Sequence, residues 1–431
     1  MTVGIFTLGC RVNQYESEAI AEALGTHGII VSDAGEVCDA YIINTCTVTA
    51  ESSRKARQFI RRAIKENPDA FILVTGCYAQ TEAEAVAKIS GVDYICGSRN
   101  KLSTVDALLR LVKNGCKNES PEINVTDVGT DSFEQMSISS FGRTRAYVKI
   151  EDGCENKCAY CIIPAARGKV CSKSEDEVIN EVTALVAGGY KEIVLTGIET
   201  AAYGKDLKNT DLITLLKKID NIEGIERVRL GSLDPSFADG RFAREAAGMK
   251  HLCHHFHLSL QSGCDATLRG MRRRYNTTQA KRNMDALRAY LPDVCFSADI
   301  IVGFPGESEE DFTQTACFLR EARLLHGHIF SYSKRAGTEA AVMKGQIPEE
   351  VKKERNRTLT ELCDNSGNEI ISSYVGKRME VLFETFTEGY AYGHTDNFIE
   401  VKASATPEVC GNILPVEIIG AENKIAIAKL I

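Results

Sequence analysis

Asp152-Gly-Cys154-Glu-Asn-Lys-Cys158-Ala-Tyr-Cys161 holds three thiols within eight residues, and the next cysteine, Cys171, lies ten positions further on. A structural zinc site closes its tetrahedron with four ligands, and ferredoxin runs bring a fourth Cys soon after the third. Three thiolates on a cubane [4Fe–4S] cluster leave one iron open. An open metal position belongs to a site that binds a substrate or cofactor, not to one that only staples a fold. The competing readings at this point are three unrelated cysteines or a zinc knuckle that lacks one ligand.

Working outward from this stretch, residues 145–150 form a β-branched run that leads straight into it. Downstream, strand patterns recur at 192–195, 227–230, 255–260, 295–302 and 328–332. Helical spacing fills 175–187, 277–290 and 308–323 between them. Six strands alternating with helices predict a partial (β/α)6 barrel with its chemistry at the strand C-terminal mouth. Beyond about Ser373 the helical pattern ends, and five short strand patterns with Gly-rich turns predict a small antiparallel β-barrel like an oligonucleotide-binding fold.

Upstream, residues 114–140 are polar and read as a linker with one short strand near 123–128. Before it, apolar runs at 3–8, 40–45 and 70–75 alternate with helical spacing at 13–24 and 49–66, the second helix opening on Thr49 as N-cap and stopping at Asn67-Pro68. This alternation predicts an open parallel α/β sheet. Cys10, Cys46 and Cys77 each follow one of its strands, two of them after Gly9 and Gly76. The carboxyl ends of such strands share one edge, so the three thiols can converge into a second three-thiolate site. Three buried core thiols is the alternative. Cys96 also ends a strand pattern and is a further thiol near this edge. The predicted organisation is 1–113 as the N-terminal α/β domain, 114–140 as linker, 141–370 as the barrel and 371–431 as the C-terminal β-barrel.

The chain has 431 residues, 44% hydrophobic and 26% charged, the proportions of a globular protein of two to three domains. No apolar run reaches membrane-spanning length and no secretory pattern opens the chain, so a cytoplasmic protein is expected. In a reducing compartment sixteen Cys read as metal ligands rather than disulfides, with Cys253, Cys295, Cys317 and Cys363 read as small core residues. The formal net charge of −8 excludes a broadly basic nucleic-acid surface but leaves room for a local basic track.

The cysteine spacing of the opening stretch resembles that of the radical S-adenosylmethionine (SAM) enzymes. More specifically, Thr7-Leu-Gly-Cys-Arg-Val-Asn-Gln-Tyr-Glu-Ser17, Asn44-Thr-Cys-Thr-Val-Thr49, Gly76-Cys77 and Asp152 through Gly168 resemble the methylthiotransferases, and the C-terminal barrel is similar to their TRAM domain. Arg229-Leu-Gly-Ser-Leu-Asp-Pro235, Phe256-His-Leu-Ser-Leu-Gln-Ser-Gly263 and Gly393-His-Thr-Asp-Asn-Phe-Ile-Glu400 resemble the branch that acts on N6-threonylcarbamoyladenosine at position 37 of tRNA.

The resemblance implies two [4Fe–4S] clusters, one on Cys154, Cys158 and Cys161 and one on Cys10, Cys46 and Cys77. It also implies two SAM molecules per turnover, a TIM-like radical SAM barrel and conversion of the base to its 2-methylthio derivative. An electron donor such as a flavodoxin or ferredoxin is implied; the sulfur donor is left open, and no membrane partner is expected. SAM contacts are expected from Glu199 in Thr196-Gly-Ile-Glu199, where many of these enzymes carry Gly-Gly-Glu, and from Gly303 in Ile301-Val-Gly-Phe-Pro-Gly-Glu307. Gln261, Ser262 and Asp299 end or line strands at the same mouth, and Tyr160 packs on adenine or on the barrel. Arg269, Arg272, Arg273 and Arg274 form the basic run expected to hold tRNA phosphate. Rival readings are methylthiolation of another tRNA base or a ribosomal-protein side chain and, from another class, a non-catalytic Fe–S RNA-binding sensor.

Overall fold

The computed structural model describes residues 1–32, 36–129 and 132–431. The linker read over 114–140 therefore falls partly outside the described residues. Its described part contributes strand Glu122–Asn124, which pairs parallel with Tyr94–Cys96 as the sixth strand of the first sheet.

That first sheet is entirely parallel. Thr2–Thr7, Ala40–Thr45 and Phe71–Gly76 lie side by side in it, so the chain emerges from three neighbouring strand ends at one edge. Helices Arg11–Thr26 and Ala50–Glu66 return the chain between these strands. The second helix starts where Thr49 accepts a hydrogen bond from the Ser52 N–H at 3.1 Å, satisfying an otherwise orphaned donor. The strands are buried on both faces: Ile43, Ile72 and Val74 pack against one set of helices, and Ile42 and Leu73 against the other.

The six strands expected of the central region, with Ser232–Leu233 as a seventh, form two parallel groups. One is ordered Arg227–Leu230, Glu192–Thr196, Ala146–Lys149; the other is Ser232–Leu233, His255–Gln261, Cys295–Val302, His326–Ser331. Parallel pairing throughout sends every strand's C-terminal end to one mouth. Two of the connecting helices begin at capping boxes, Ser174 with Glu177 and Ser308 with Asp311.

Helix Glu349–Ser372 crosses from the last of these strands to a closed five-stranded barrel. Its pairings are antiparallel except one. Glu400–Ser404 runs parallel to Ile425–Leu430, which corrects the purely antiparallel barrel expected from the turns. The barrel docks through Phe398, whose φ of +72° turns its ring between His255 and His394, with the Arg229 guanidinium 4.8 Å from its centroid. Two of the three segments that carried the branch resemblance, 229–235 and 393–400, therefore meet at this dock, beside His255, which immediately precedes the third. Arg229 donates to the carbonyls of Thr395 and Asp396 and holds Glu192 at 2.6 Å. Much of their chemistry is scaffold.

Candidate functional site

The three strand-end cysteines converge. Gly9, with φ of +100°, lies so close to Cys46 that a Cβ at residue 9 would sit 2.8 Å from the Cys46 sulfur. Gly76, with φ of +96°, leaves no room for a Cβ beside the Thr45 carbonyl and sets Cys77 at the start of helix Cys77–Thr81. These are the tight approaches that only glycine permits. Burial pushes the Cys46 thiol up to about 11, with Cys77 and Cys10 adding to the effect. Cys10 remains open to solvent, whereas Cys46 and Cys77 are buried. Cys96 does not join them. It is fully buried in the core among Val3, Leu73, Val105 and Leu108.

The second set occupies the loop that follows Glu151–Asp152. The Cys154 N–H donates to the Gly168 carbonyl at 3.0 Å and the Cys161 N–H to the Cys158 carbonyl at 3.1 Å, winding the three half-buried thiols around one centre. Burial pushes Cys154 up to about 12 and Cys161 up to about 11. Thiols so placed ionise only when a positive centre replaces the proton.

Among the described residues no three His, Cys, Asp or Glu groups stand close enough to hold a single metal ion. A cubane takes each thiolate on a different iron, so its ligands stand further apart than those of one ion. Each thiol set also meets one buried guanidinium, as an anionic cluster would require. Arg167 Nε–H donates to Cys77 Sγ at 3.1 Å, and Arg273 Nη1–H to Cys158 Sγ at 3.4 Å. Arg273 Nε, buried, has no protein partner. Both sets therefore fit a three-thiolate iron–sulfur cluster.

Arg167 anchors a buried charged network that joins the two halves of the site. It donates to Glu16 at 2.6 Å, Asp152 at 3.0 Å and the Asn13 carboxamide oxygen. Lys149 bridges Glu16 and Asp152 at 2.7 Å each, and Lys101 pairs with Glu16 and donates to Asn44 at 2.9 Å. Burial would raise both carboxyls, but the cations around them overcome it. Glu16 is held well below the usual carboxylate range and Asp152 is also lowered. Sequence reading missed these residues. The signal was available as charged residues inside otherwise apolar strand and helix patterns, Lys149 above all.

The remaining candidates divide. A cavity of about 250 Å³ is lined by Tyr160, Cys161, Gln261, Asp299, Ile301 and Phe330, together with Val48 and Thr49, just past Cys46. Gln261, at φ of +60°, sits where the strand pairing shifts register and turns into this cavity wall. Glu199 accepts from Asn156 Nδ2 at 3.2 Å beside the cysteine loop, and burial, then Asp234, raises it to about 7.

Three expectations are corrected. Ser262 Oγ is committed to Thr315 at 3.2 Å and to the Cys264 N–H, away from the cavity wall. The close approach at Gly303 is to the Lys352 side chain, so its lack of Cβ serves helix packing rather than a cofactor. Arg273 turns inward to Asp234 at 2.7 Å and to Cys158, so it is no phosphate contact, while Arg269, Arg272 and Arg274 stay exposed. Among the other cysteines, Cys317 is exposed rather than in the core.

Comparison with known proteins gives two family matches, the "Uncharacterized protein family UPF0004" over residues 2–97 and the "Radical SAM superfamily" over residues 148–319. The chain is 39% identical to threonylcarbamoyladenosine tRNA methylthiotransferase MtaB of Bacillus subtilis (strain 168), over 97% of this chain and 94% of that protein. It is 37% identical to the protein of the same name from Thermotoga maritima, over 93% and 90%. Identity is 34% to the tRNA-2-methylthio-N(6)-dimethylallyladenosine synthase of Pelotomaculum thermopropionicum, over 97% and 95%. Among solved structures, the radical SAM methyltransferase TsrM of Kitasatospora setae matches with a TM-score of 0.58 at 15% identity, covering 79% of this chain and 77% of that one, a likeness of fold. With a three-cysteine loop at the mouth of a parallel barrel and near-full-length relatives at this identity, the chain belongs to the radical SAM methylthiotransferase family and is an enzyme of that kind.

Proposed function

We propose that this enzyme converts N6-threonylcarbamoyladenosine in tRNA to its 2-methylthio derivative. It would use two SAM molecules and two four-iron clusters, one on Cys154, Cys158 and Cys161 and the other on Cys10, Cys46 and Cys77. The observation that carries the reading is the shared cavity, lined by Cys161 and by Val48 and Thr49, two and three residues past Cys46. A base inserted there faces both thiol sets.

When bound, the cluster on Cys154, Cys158 and Cys161 would supply the electron for SAM cleavage, and the one on Cys10, Cys46 and Cys77 would hold the sulfur that is transferred. The chain's own residues bind and orient. Glu199, held by Asn156 beside the loop, is the acceptor for the ammonium of SAM. Gln261 and Asp299 offer polar contacts on the cavity wall, and Val48, Ile301 and Phe330 exclude water from it. Arg273 and Arg167 direct positive charge at the two thiol sets. The electron would come from a flavodoxin or ferredoxin.

The division of labour is testable. Cys10→Ala, Cys46→Ala and Cys77→Ala are each expected to keep forming 5′-deoxyadenosine from SAM while yielding no methylthio nucleoside by mass spectrometry of tRNA digests. Loss of SAM cleavage in these variants, with the other cluster still present, would contradict it.

The RNA track is Arg269, Arg272 and Arg274. Arg272 is half exposed and paired only with Glu339, at 2.7 Å. Replacing all three with Ala is expected to weaken tRNA binding and flatten its salt dependence, each lost phosphate contact removing about 0.9 from the log–log slope. Fluorescence anisotropy over a salt series measures this, and an unchanged slope would place the RNA elsewhere.

A further inference from the structure

Arg11 follows Cys10 directly and opens helix Arg11–Thr26, with its side chain turned into the partial barrel. Its guanidinium carbon lies 5.8 Å from the centroid of Tyr147, on strand Ala146–Lys149. Its charge is felt by His255 and His328 on two other barrel strands. No hydrogen bond or ion pair to an acid engages it among the described residues. The acids nearby are already taken. Glu192 is held by Arg229 at 2.6 Å, with Arg145 3.7 Å away, and Asp299 faces His257 at 3.2 Å. Glu16, further along the same helix, is saturated by Arg167, Lys101 and Lys149.

Arg11 is partly buried, and a guanidinium shielded from water with no anion paired to it is completed by an anionic ligand. The surroundings of Arg11 connect to the active cavity through His257 and Asp299. Asp299 lines the wall beside Cys161, His257 binds Asp299, and the His257 and His328 rings are 5.4 Å apart. The charge of Arg11, felt by His328, reaches this chain from the Cys10 side.

The relatives' names supply two candidate substituents on the adenine N6. A threonylcarbamoyl group carries a carboxylate and a hydroxyl, whereas a dimethylallyl group is hydrocarbon. An unpaired cation is a poor neighbour for hydrocarbon and the natural partner of a carboxylate, which it grips bidentately. We propose that Arg11 is the carboxylate subsite for the N6 substituent of the substrate base and sets the preference for an acidic substituent over an apolar one. This rests on the reading of the substrate as a modified adenosine in tRNA.

The test uses the reconstituted full chain as wild type, Arg11→Gln and Arg11→Lys. Three anticodon stem-loops are compared, bearing N6-threonylcarbamoyladenosine, its carboxamide analogue and N6-dimethylallyladenosine. Anaerobic anisotropy gives Kd, mass spectrometry gives kcat/KM, and iron content reports whether each variant holds its clusters. Wild type is expected to favour the acid over the carboxamide by about 10- to 100-fold, the worth of one charge-assisted pair. Arg11→Gln should bring that ratio close to one, and Arg11→Lys should restore part of it. If Arg11→Gln keeps the wild-type ratio in both Kd and turnover, the subsite is overturned while the substrate reading stands. Wild type that methylthiolates the dimethylallyl stem-loop and leaves the threonylcarbamoyl one untouched overturns the substrate reading, and the subsite with it. A variant too damaged to turn over is still decided by its Kd ratio.

Discussion

Protein in which Cys154, Cys158 and Cys161 are all replaced by Ala is expected, after anaerobic reconstitution, to form no 5′-deoxyadenosine and to hold about half the wild-type iron. The expectation follows from how the two thiol sets are built. One lies on a single loop closed by the Cys154–Gly168 and Cys161–Cys158 backbone bonds. The other is assembled from three neighbouring strand ends of a separate sheet. Neither set lends a sulfur to the other, so the second should assemble without the first. The remaining iron should keep the absorption of a four-iron cluster. Full iron retention would show that these thiols are not ligands, and loss of all iron would show that the two sites assemble together.

Arg167→Ala is expected to cost about 3–5 kcal/mol of folding stability, the usual result of removing one partner from a buried ion pair. Among the groups bonded to one another in this network, Arg167, Lys101 and Lys149 face Glu16 and Asp152. Three cations against two carboxylates leave one positive charge, and Arg167 directs it at the Cys77 sulfur. The variant should therefore also lose iron selectively from the Cys10, Cys46 and Cys77 set, and Arg167→Lys should recover charge but not the forked contacts. The effect depends on pH with a definite sign. Glu16 and Asp152 have folded-state pKa values below their ordinary ones, so the stability they contribute is present above the usual carboxylate range. It is lost as pH falls through their lowered values. The gap between wild type and Arg167→Ala should accordingly narrow in acid. Denaturant titrations at neutral and acidic pH measure it, and equal midpoints for the two proteins at neutral pH would refute the network's role.

Periodicity and local chemistry were enough for the elements that position the site. Residues 40–45, 227–230 and 295–302 read as strands from β-branched runs, and each is a strand with those bounds. The helices at 175–187 and 277–290 read from apolar spacing, and both are helices with those bounds, capped in the structure by Ser174 and Asn276. These features are local, so the sequence carries them directly. The parallel order of the first sheet follows from strand and helix alternation, and with it the convergence of Cys10, Cys46 and Cys77 at one edge.

What depended on contacts between distant segments was not legible. Arg273 stands in a run of four cations, yet it turns inward because Asp234 and the Cys158 sulfur offer it partners that Arg269 and Arg274 lack. Cys96 ends a strand like the three converging thiols but is buried in the core among Val3, Leu73 and Leu108, since what a strand's side chain meets is fixed only by its neighbours. Gly303 reads as a place for a ligand and proves to be a place for Lys352, a residue of the long helix that follows the barrel. The pairing of Arg167 with Glu16 joins residues 151 positions apart, and the isolation of Arg11 is a statement about every acid around it. The sequence by itself determined the elements, their alternation and the two groups of thiols. Only the tertiary structure decided which charges are satisfied and which are left open, because burial and partnership are properties of the packed chain and not of any residue within it.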